Sequence, residues 1–454
     1  METPVYDYLK NYAASGTVRC HMPGHKGRSS AEELSSAFDL DITEISGADS
    51  LFEADGIIAE SEKYMSRLYH TAETVYSAGG STLCIQAMLA LMKQDGRQVI
   101  AVRNVHRAFL NACALLDISP VWIMPEYSGG ILSGTVETSA VENALKECGK
   151  PACLYITSPD YTGKTADIRS LAAVCRKYGA RLLVDNAHGA HLAFLPKNIH
   201  PMNLGADLCC DSAHKMLPAL TGAAMLHTSC KEYVGKLKQA MSFFGSTSPS
   251  YLIMASLDLC NRYICDRIAD DIADGMRYIQ KLKSHFSDRL RFAESEPFHI
   301  TVMAAECGYD GNELAGRLRA NGAECEYSDR SLLILLMSPM SNAEDYAKLT
   351  EALDTALRSA RKHGPIKESF SIALPEKAMS IREAAFSPCE EIPVEEAEGR
   401  ICASVKVPCP PAIPIAASGE VIDRSCIELF RRYGIDKVLV AGDGVPDVPC
   451  LTQK

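Results

Sequence analysis

A chain of 454 residues, 47% hydrophobic and 23% charged, carries ample material for a buried core and has the length of two or three domains. A formal charge of −11 argues against a nucleic-acid partner, which needs clustered Lys and Arg, and no run approaches the ~18 apolar residues of a membrane span. Eighteen cysteines contain no C-x-x-C pair and follow no basic, apolar leader in METPVYDYLKNYAASG, so a reducing, cytoplasmic setting is expected.

Residues 1–50 read as an N-terminal arm and 51–285 as a large α/β domain. From Gly79 onward strand and helix signals alternate, as in βαβ units. Between Ser81 and Lys93, residues Cys84, Ala87, Met88 and Leu91 fall at i, i+3, i+4 and i+7. That spacing predicts one apolar helical face, with Ser81 placed to cap the helix and Gly96 to end it. QVIAV (98–102) reads as a strand, HRAFLNACALL (106–116) as a helix and VWIM (121–124) as a strand. Ser139 and Glu142 have capping-box form ahead of the next helix. ACLYIT (152–157) is strand-like, and Asp167 opens a helix that closes at Gly179. RLLVDNA (181–187), ADLCCD (206–211) and AAMLH (223–227) complete a set of continuous apolar strands, which predicts a mostly parallel sheet covered on both faces.

Near residue 290 the pattern changes. FHITVMAA, a helix near 311–321, AECEY, LLILLM and a helix over about 342–360 predict a smaller α+β domain within 286–375. An irregular charged stretch then leads to VPCPPAIPIAASGE (407–420) and a final amphipathic piece, a C-terminal domain over 376–454.

Ligands of an open parallel sheet collect at the carboxyl ends of its strands, where four features fall. Gly79-Gly80-Ser81-Thr82 opens a helix, and its free N–H groups and two hydroxyls suit a phosphate. Asp185 closes a buried strand, where a carboxylate is costly unless a cation meets it. His106 lies just past QVIAV, and Lys215 stands thirty positions after Asp185 in CCDSAHKMLPALTGAAMLH (209–227). Pyridoxal phosphate needs these parts: an amine for its aldehyde, a carboxylate for its ring nitrogen, a flat group over the ring and an anion cradle. An apolar setting lowers a lysine's pKa toward the neutral, nucleophilic form. No metal site is expected: His21 with His25 and His188 with His191 are spaced like ligand pairs, but no Cys or carboxylate stands at closed-site spacing.

The chain resembles the pyridoxal-phosphate-dependent ornithine/lysine/arginine decarboxylases of the aspartate-aminotransferase fold type, fold type I, and in particular their short bacterial members. HMPGHKG (21–27), DITEISGADSLFEADGII (41–58), GGST (79–82), RNVHRA (103–108) and TSPDYTG (157–163) carry the resemblance. So do LVDNAHGAHLAF (183–194), SAHKMLPALT (212–221), STSPSYLIMASLD (246–258), MSIREAAF (379–386) and PPAIPIAASGE (410–420). The resemblance implies a pyridoxal-phosphate-binding large domain with a mostly parallel seven-stranded sheet, plus the smaller α+β domain and a decarboxylase-type C-terminal domain.

It further implies that Lys215 is the Schiff-base lysine and Asp185 the partner of the pyridine nitrogen. His106 would stack on the ring, Ser81 and Thr82 would bind phosphate, and Ala187, His188, Ser212 and His214 would line the cofactor. Ser248, in the STSPSY loop, would reach a neighbouring subunit's cofactor, so a homodimer is expected, with active sites at the subunit interface. Glu420 resembles an acid that contacts substrate. The chain departs from the family pattern at Asn186, Cys409, Ala412 and Ser418. The implied reaction is α-decarboxylation of arginine, lysine or ornithine to agmatine, cadaverine or putrescine, with a place in polyamine biosynthesis, and His214 or Lys215 would return the proton to Cα. The same scaffold also supports an aminotransferase, a lyase or a non-catalytic pyridoxal-phosphate-binding protein.

Overall fold

The computed structural model describes residues 1–29, 34–127, 130–366, 372–404 and 413–442. Seven strands form its main sheet: β1 (Glu73–Ser77), β2 (Gln98–Val102), β3 (Val121–Ile123), β4 (Ala152–Thr157), β5 (Arg181–Asp185), β6 (Leu208–Asp211) and β7 (Ala224–Thr228). They lie in the order β1-β7-β6-β5-β4-β2-β3. Strands β3, β2, β4, β5 and β6 are parallel, whereas β7 runs antiparallel to both β6 and β1. The reversal follows from the short β6–β7 connection, which holds only the one-turn helix Ala213–Met216 and no full crossover helix.

Alternate residues of these strands feed two apolar layers. Val99, Ala101, Tyr155 and Leu183 pack with helices Gly80–Gln94 and Arg107–Leu116. Ile100, Val102, Leu154 and Val184 pack on the other face with helices Thr138–Cys148 and Ile168–Lys177. Two covered faces explain why the strands read as unbroken apolar runs. Helices Tyr251–Asp266 and Ile268–His285 lead to an antiparallel sheet of His299–Val302, Leu333–Leu336 and Tyr327–Ser328, backed by helices Gly311–Ala320 and Ala343–Ser359. A third antiparallel sheet joins Cys389–Pro393, Lys437–Ala441 and Cys402–Ser404, with helix Arg424–Arg432. Its apolar core also takes in Ile131, Leu132 and Leu332, which ties the C-terminal segment to both preceding sheets.

Three local expectations fail. Ser81 lies inside helix Gly80–Gln94 rather than at its cap, and its hydroxyl is taken by Ser212 at 2.9 Å. Ser139 lies inside helix Thr138–Cys148, and Glu142 is drawn instead to Lys177 Nζ (2.5 Å) and the Tyr178 hydroxyl (3.1 Å). Only Tyr327 of AECEY enters a strand. The departures at Cys409 and Ala412 lie outside the described residues; Ser418 is buried.

Candidate active site

Strands β2, β4, β5 and β6 end at one edge of the sheet, and the residues that follow them converge. Asn104 and His106 come after β2, Thr157 and Pro159 from the end of β4, Asp185, Ala187 and His188 from β5, and Lys215 from the turn after β6. Together with Ser81, Ile85, Tyr161, Glu326 and Ile413 they line a cavity of about 250 Å³. Parallel strands place all their carboxyl ends on one side, so residues far apart in sequence meet there.

Asp185, 2% exposed, accepts hydrogen bonds from the Ala187 amide (3.2 Å) and the Tyr155 hydroxyl (3.2 Å). Burial, reinforced by Asp185, holds the Tyr155 phenol well above its ordinary range, so it remains a donor. The His106 ring is fixed at the start of its helix, where Nδ1 accepts from the Ala108 amide at 3.1 Å. Burial lowers its pKa, opposed by the nearby Asp185.

Lys215 Nζ lies 2.7 Å from His188 Nε2. Burial first, then the neighbouring charge of Lys215, holds His188 well below its ordinary pKa of 6.5. The neutral ring keeps Nε2 available as an acceptor toward Lys215. Behind His188 stands His299, its ring centroid 5.3 Å away, and beyond it the buried carboxylate of Glu296, which also takes His191 at 2.5 Å. On its other side the Tyr161 ring packs at 5.3 Å, and the Tyr161 hydroxyl donates to Glu326 at 2.8 Å.

The residues present fit pyridoxal phosphate. Asn104 Oδ1 and Thr157 Oγ1 are buried polar atoms with no partner among the described residues, and both residues line the cavity, where a polar ligand would satisfy them. The Ser212 hydroxyl donates to Ser81 Oγ at 2.9 Å beside the N-terminus of helix Gly80–Gln94. Gly80 holds φ at +69°, and the space beside it where a Cβ would stand is open, so an anion can come close to the backbone.

Of the residues expected here, Lys215, Asp185, His106, Ala187, His188 and Ser81 share the cavity, and Ser212 touches it through Ser81. Thr82 and Ser248 are exposed and outside its lining. His214 also stands outside, its Nδ1 bonded to the Ala223 carbonyl at 3.0 Å. Glu420 is not at the cavity: its carboxylate is buried against Arg103 Nη2 at 2.6 Å and accepts from the Ala417 amide at 2.7 Å. The reason is charge pairing, since a buried guanidinium needs a carboxylate. Sequence reasoning missed Asn104, Thr157, Tyr155, Tyr161 and Glu326. Asn104, Thr157 and Tyr161 lie in the quoted RNVHRA and TSPDYTG segments; Glu326 carried no signal.

Asn186 has a local explanation. Its Nδ2 donates to Asp211 Oδ1 at 2.7 Å, and Asp211 also binds His200 (3.0 Å) and His227 (3.2 Å). A second acid at 186 would face that carboxylate without a proton to share. Ligand atoms of His200, Cys209 and Asp211 lie within 4.8 Å of one another. Burial raises the Cys209 thiol pKa, and Asp211 is held by His200 and His227, so the three groups form a buried polar cluster.

Among known proteins, an uncharacterised Bacillus subtilis protein is 29% identical over 98% of this chain and 96% of its own length. The arginine decarboxylase of Bacillus subtilis is 28% identical over 95% of this chain and 93% of its own. The crystal structure of Francisella novicida lysine decarboxylase superposes with a TM-score of 0.79 at 17% identity, over 96% of this chain and 79% of that one. Sphingomonas wittichii serine palmitoyltransferase shares the fold more distantly, with a TM-score of 0.56 at 14% identity over 69% of this chain and 79% of that one. Family models match over residues 3–306 (Orn/Lys/Arg decarboxylase, major domain) and 365–433 (C-terminal domain). The major-domain match alone covers well over half of the sequence, and on it the chain belongs to the Orn/Lys/Arg decarboxylase family of amino-acid decarboxylases.

Proposed function

We propose that this enzyme uses pyridoxal phosphate attached to Lys215 to remove the α-carboxylate of a basic amino acid, arginine, lysine or ornithine, and release the amine. The observation that carries the proposal is the meeting of Lys215, Asp185, His106 and His188 in one small cavity. When bound, the cofactor supplies an aldehyde for amines and a cationic ring that takes up the electron pair left at Cα as carbon dioxide departs.

The protein's own groups prepare that chemistry. His188 Nε2 accepts a hydrogen bond from Lys215 Nζ and fixes where the amine points. Asp185, oriented by Tyr155 and the Ala187 amide, would keep the cofactor's ring nitrogen protonated. The His106 ring, held by the Ala108 amide, supplies the flat face. Ser81, Ser212 and the first-turn amides that include Thr82 hold the phosphate. Lys215, inside the cavity, returns the proton to Cα more readily than His214, whose ring is tied to Ala223. Ser248 sits in an exposed loop that is free to serve a second subunit, which supports a homodimer. No described helix is long and apolar enough to cross a membrane, and the sixteen described cysteines are unbonded, which supports a cytoplasmic setting.

The test is covalent and catalytic. Borohydride reduction of the purified enzyme should fix the cofactor on Lys215 alone, and a panel of amino acids should yield carbon dioxide and amine only with the basic ones. Lys215→Ala should abolish both signals. Attachment at another lysine, or keto-acid in place of amine, would overturn the assignment.

A further inference from the structure

The cavity lining contains two carboxylates, Asp185 and Glu326. Asp185 lies at the foot of the pocket, with β5 and its donors around it. Glu326 enters from the small sheet, its amide bonded to the Ile334 carbonyl at 3.0 Å, so its backbone is anchored. From Lys215 a line of contacts runs through His188 to the Tyr161 ring, and the Tyr161 hydroxyl ends on Glu326 Oε1. One oxygen is thereby oriented by a neutral donor, and no described residue forms an ion pair with the carboxylate.

Glu326 also borders a second cleft, whose arginines have other contacts, Arg330 among them at 4.0 Å from Asp310. The adjoining cleft of about 490 Å³ is lined by arginines. Arg319 is held by Glu324 at 2.7 Å, Arg431 by Glu395 at 3.3 Å, and Arg432 lies over Tyr433. Glu420, the acid first expected to read substrate, is neutralised by Arg103. Apart from Lys215, which the cofactor would engage, the described lining of this cavity holds no lysine or arginine, so a half-buried, oriented carboxylate there is placed to receive a cation from a ligand.

We infer that Glu326, positioned by Tyr161, binds the distal cationic group of the substrate and sets the preference for basic over neutral side chains. This rests on the decarboxylase reading above and names the specificity residue within it. The amino end of the substrate is drawn to the Lys215 region, and the side chain extends past Tyr161 to Glu326. No covalent step is involved; the contact is a charge-assisted hydrogen bond.

The experiment compares calorimetric binding of cadaverine and of n-pentylamine, which share one chain length and differ in the second ammonium, to the holoenzyme. Wild type should favour cadaverine by about 10- to 100-fold, the range of a charge-assisted hydrogen bond. Glu326→Gln should bring the two affinities to within a few-fold while leaving the visible cofactor absorbance unchanged. Tyr161→Phe, which removes only the orienting hydroxyl, should lose a smaller part of the preference and serves if the first variant does not fold. In turnover the same variants should raise KM for the best basic amino acid far more than they lower kcat. Should wild type show no preference for the diamine, the basic-substrate reading itself fails. Should wild type prefer it and both variants keep that preference, Glu326 is not the reader and the family reading stands.

Discussion

Replacing Glu420 by alanine separates two accounts of the C-terminal acid. Arg103 and Glu420 have side chains only 3% and 5% exposed, and their Nη2–Oε2 distance is 2.6 Å. Burial raises the Glu420 carboxyl above its ordinary range while Arg103 pulls it back, so the pair lives by mutual contact and not by solvent. Arg103 Nη1 has no partner among the described residues, and the guanidinium rests 4.7 Å from the Trp122 ring centroid. Removing the carboxylate leaves a buried cation alone, a loss of about 3–5 kcal/mol. The Ala417 amide loses its acceptor as well, about 1 kcal/mol more. For a cooperative unit the size of the segment after residue 376, each kcal/mol is worth about 4–8 °C, so the C-terminal transition should fall by more than ~10 °C. Differential scanning calorimetry with hydrogen exchange over the segment measures it. The double variant Arg103→Met with Glu420→Leu should recover much of the loss, because an apolar pair leaves no charge stranded. An unchanged transition in Glu420→Ala, together with about a tenfold or greater rise in KM for the basic substrate, would refute the structural role and return Glu420 to the substrate.

Two further outcomes are expected. His188 titrates well below 6.5 in the folded chain, so between those values only the unfolded chain binds the proton. Stability is therefore complete above about 6.5 and declines as pH falls through it, by up to ~1.4 kcal/mol per pH unit for one such group. His106, His214 and His227 are lowered too and add to the same slope. Urea midpoints followed downward from neutral pH should show the decline, and His188→Gln should flatten it; an identical slope in that variant would mean the ring is charged in the fold. Ser81→Ala with Ser212→Ala should weaken pyridoxal phosphate about 10-fold or more without altering the fold, read by equilibrium dialysis and circular dichroism. Unchanged affinity would place the phosphate elsewhere.

Much of the large sheet was legible because it depends on short-range pattern. ACLYIT coincides with β4, QVIAV with β2, and Asp167 caps its helix by accepting from the Ser170 amide. Strand ends also told where chemistry gathers: parallel strands share one carboxyl edge, so Asp185, His106 and Lys215 could be brought together without knowing any contact. The caps at Ser81 and Ser139 failed for the opposite reason. Each hydroxyl or acid had a competing partner from another part of the chain, Ser212 in one case and Lys177 in the other.

Linear sequence determined the elements and their alternation, since periodicity acts over a few residues. Tertiary structure alone decided which acids are spoken for. Arg103 claims Glu420 from 317 positions away, and Tyr161 orients Glu326 across 165. A buried charge takes whatever opposite charge folding brings within reach, and that distance is not written in spacing.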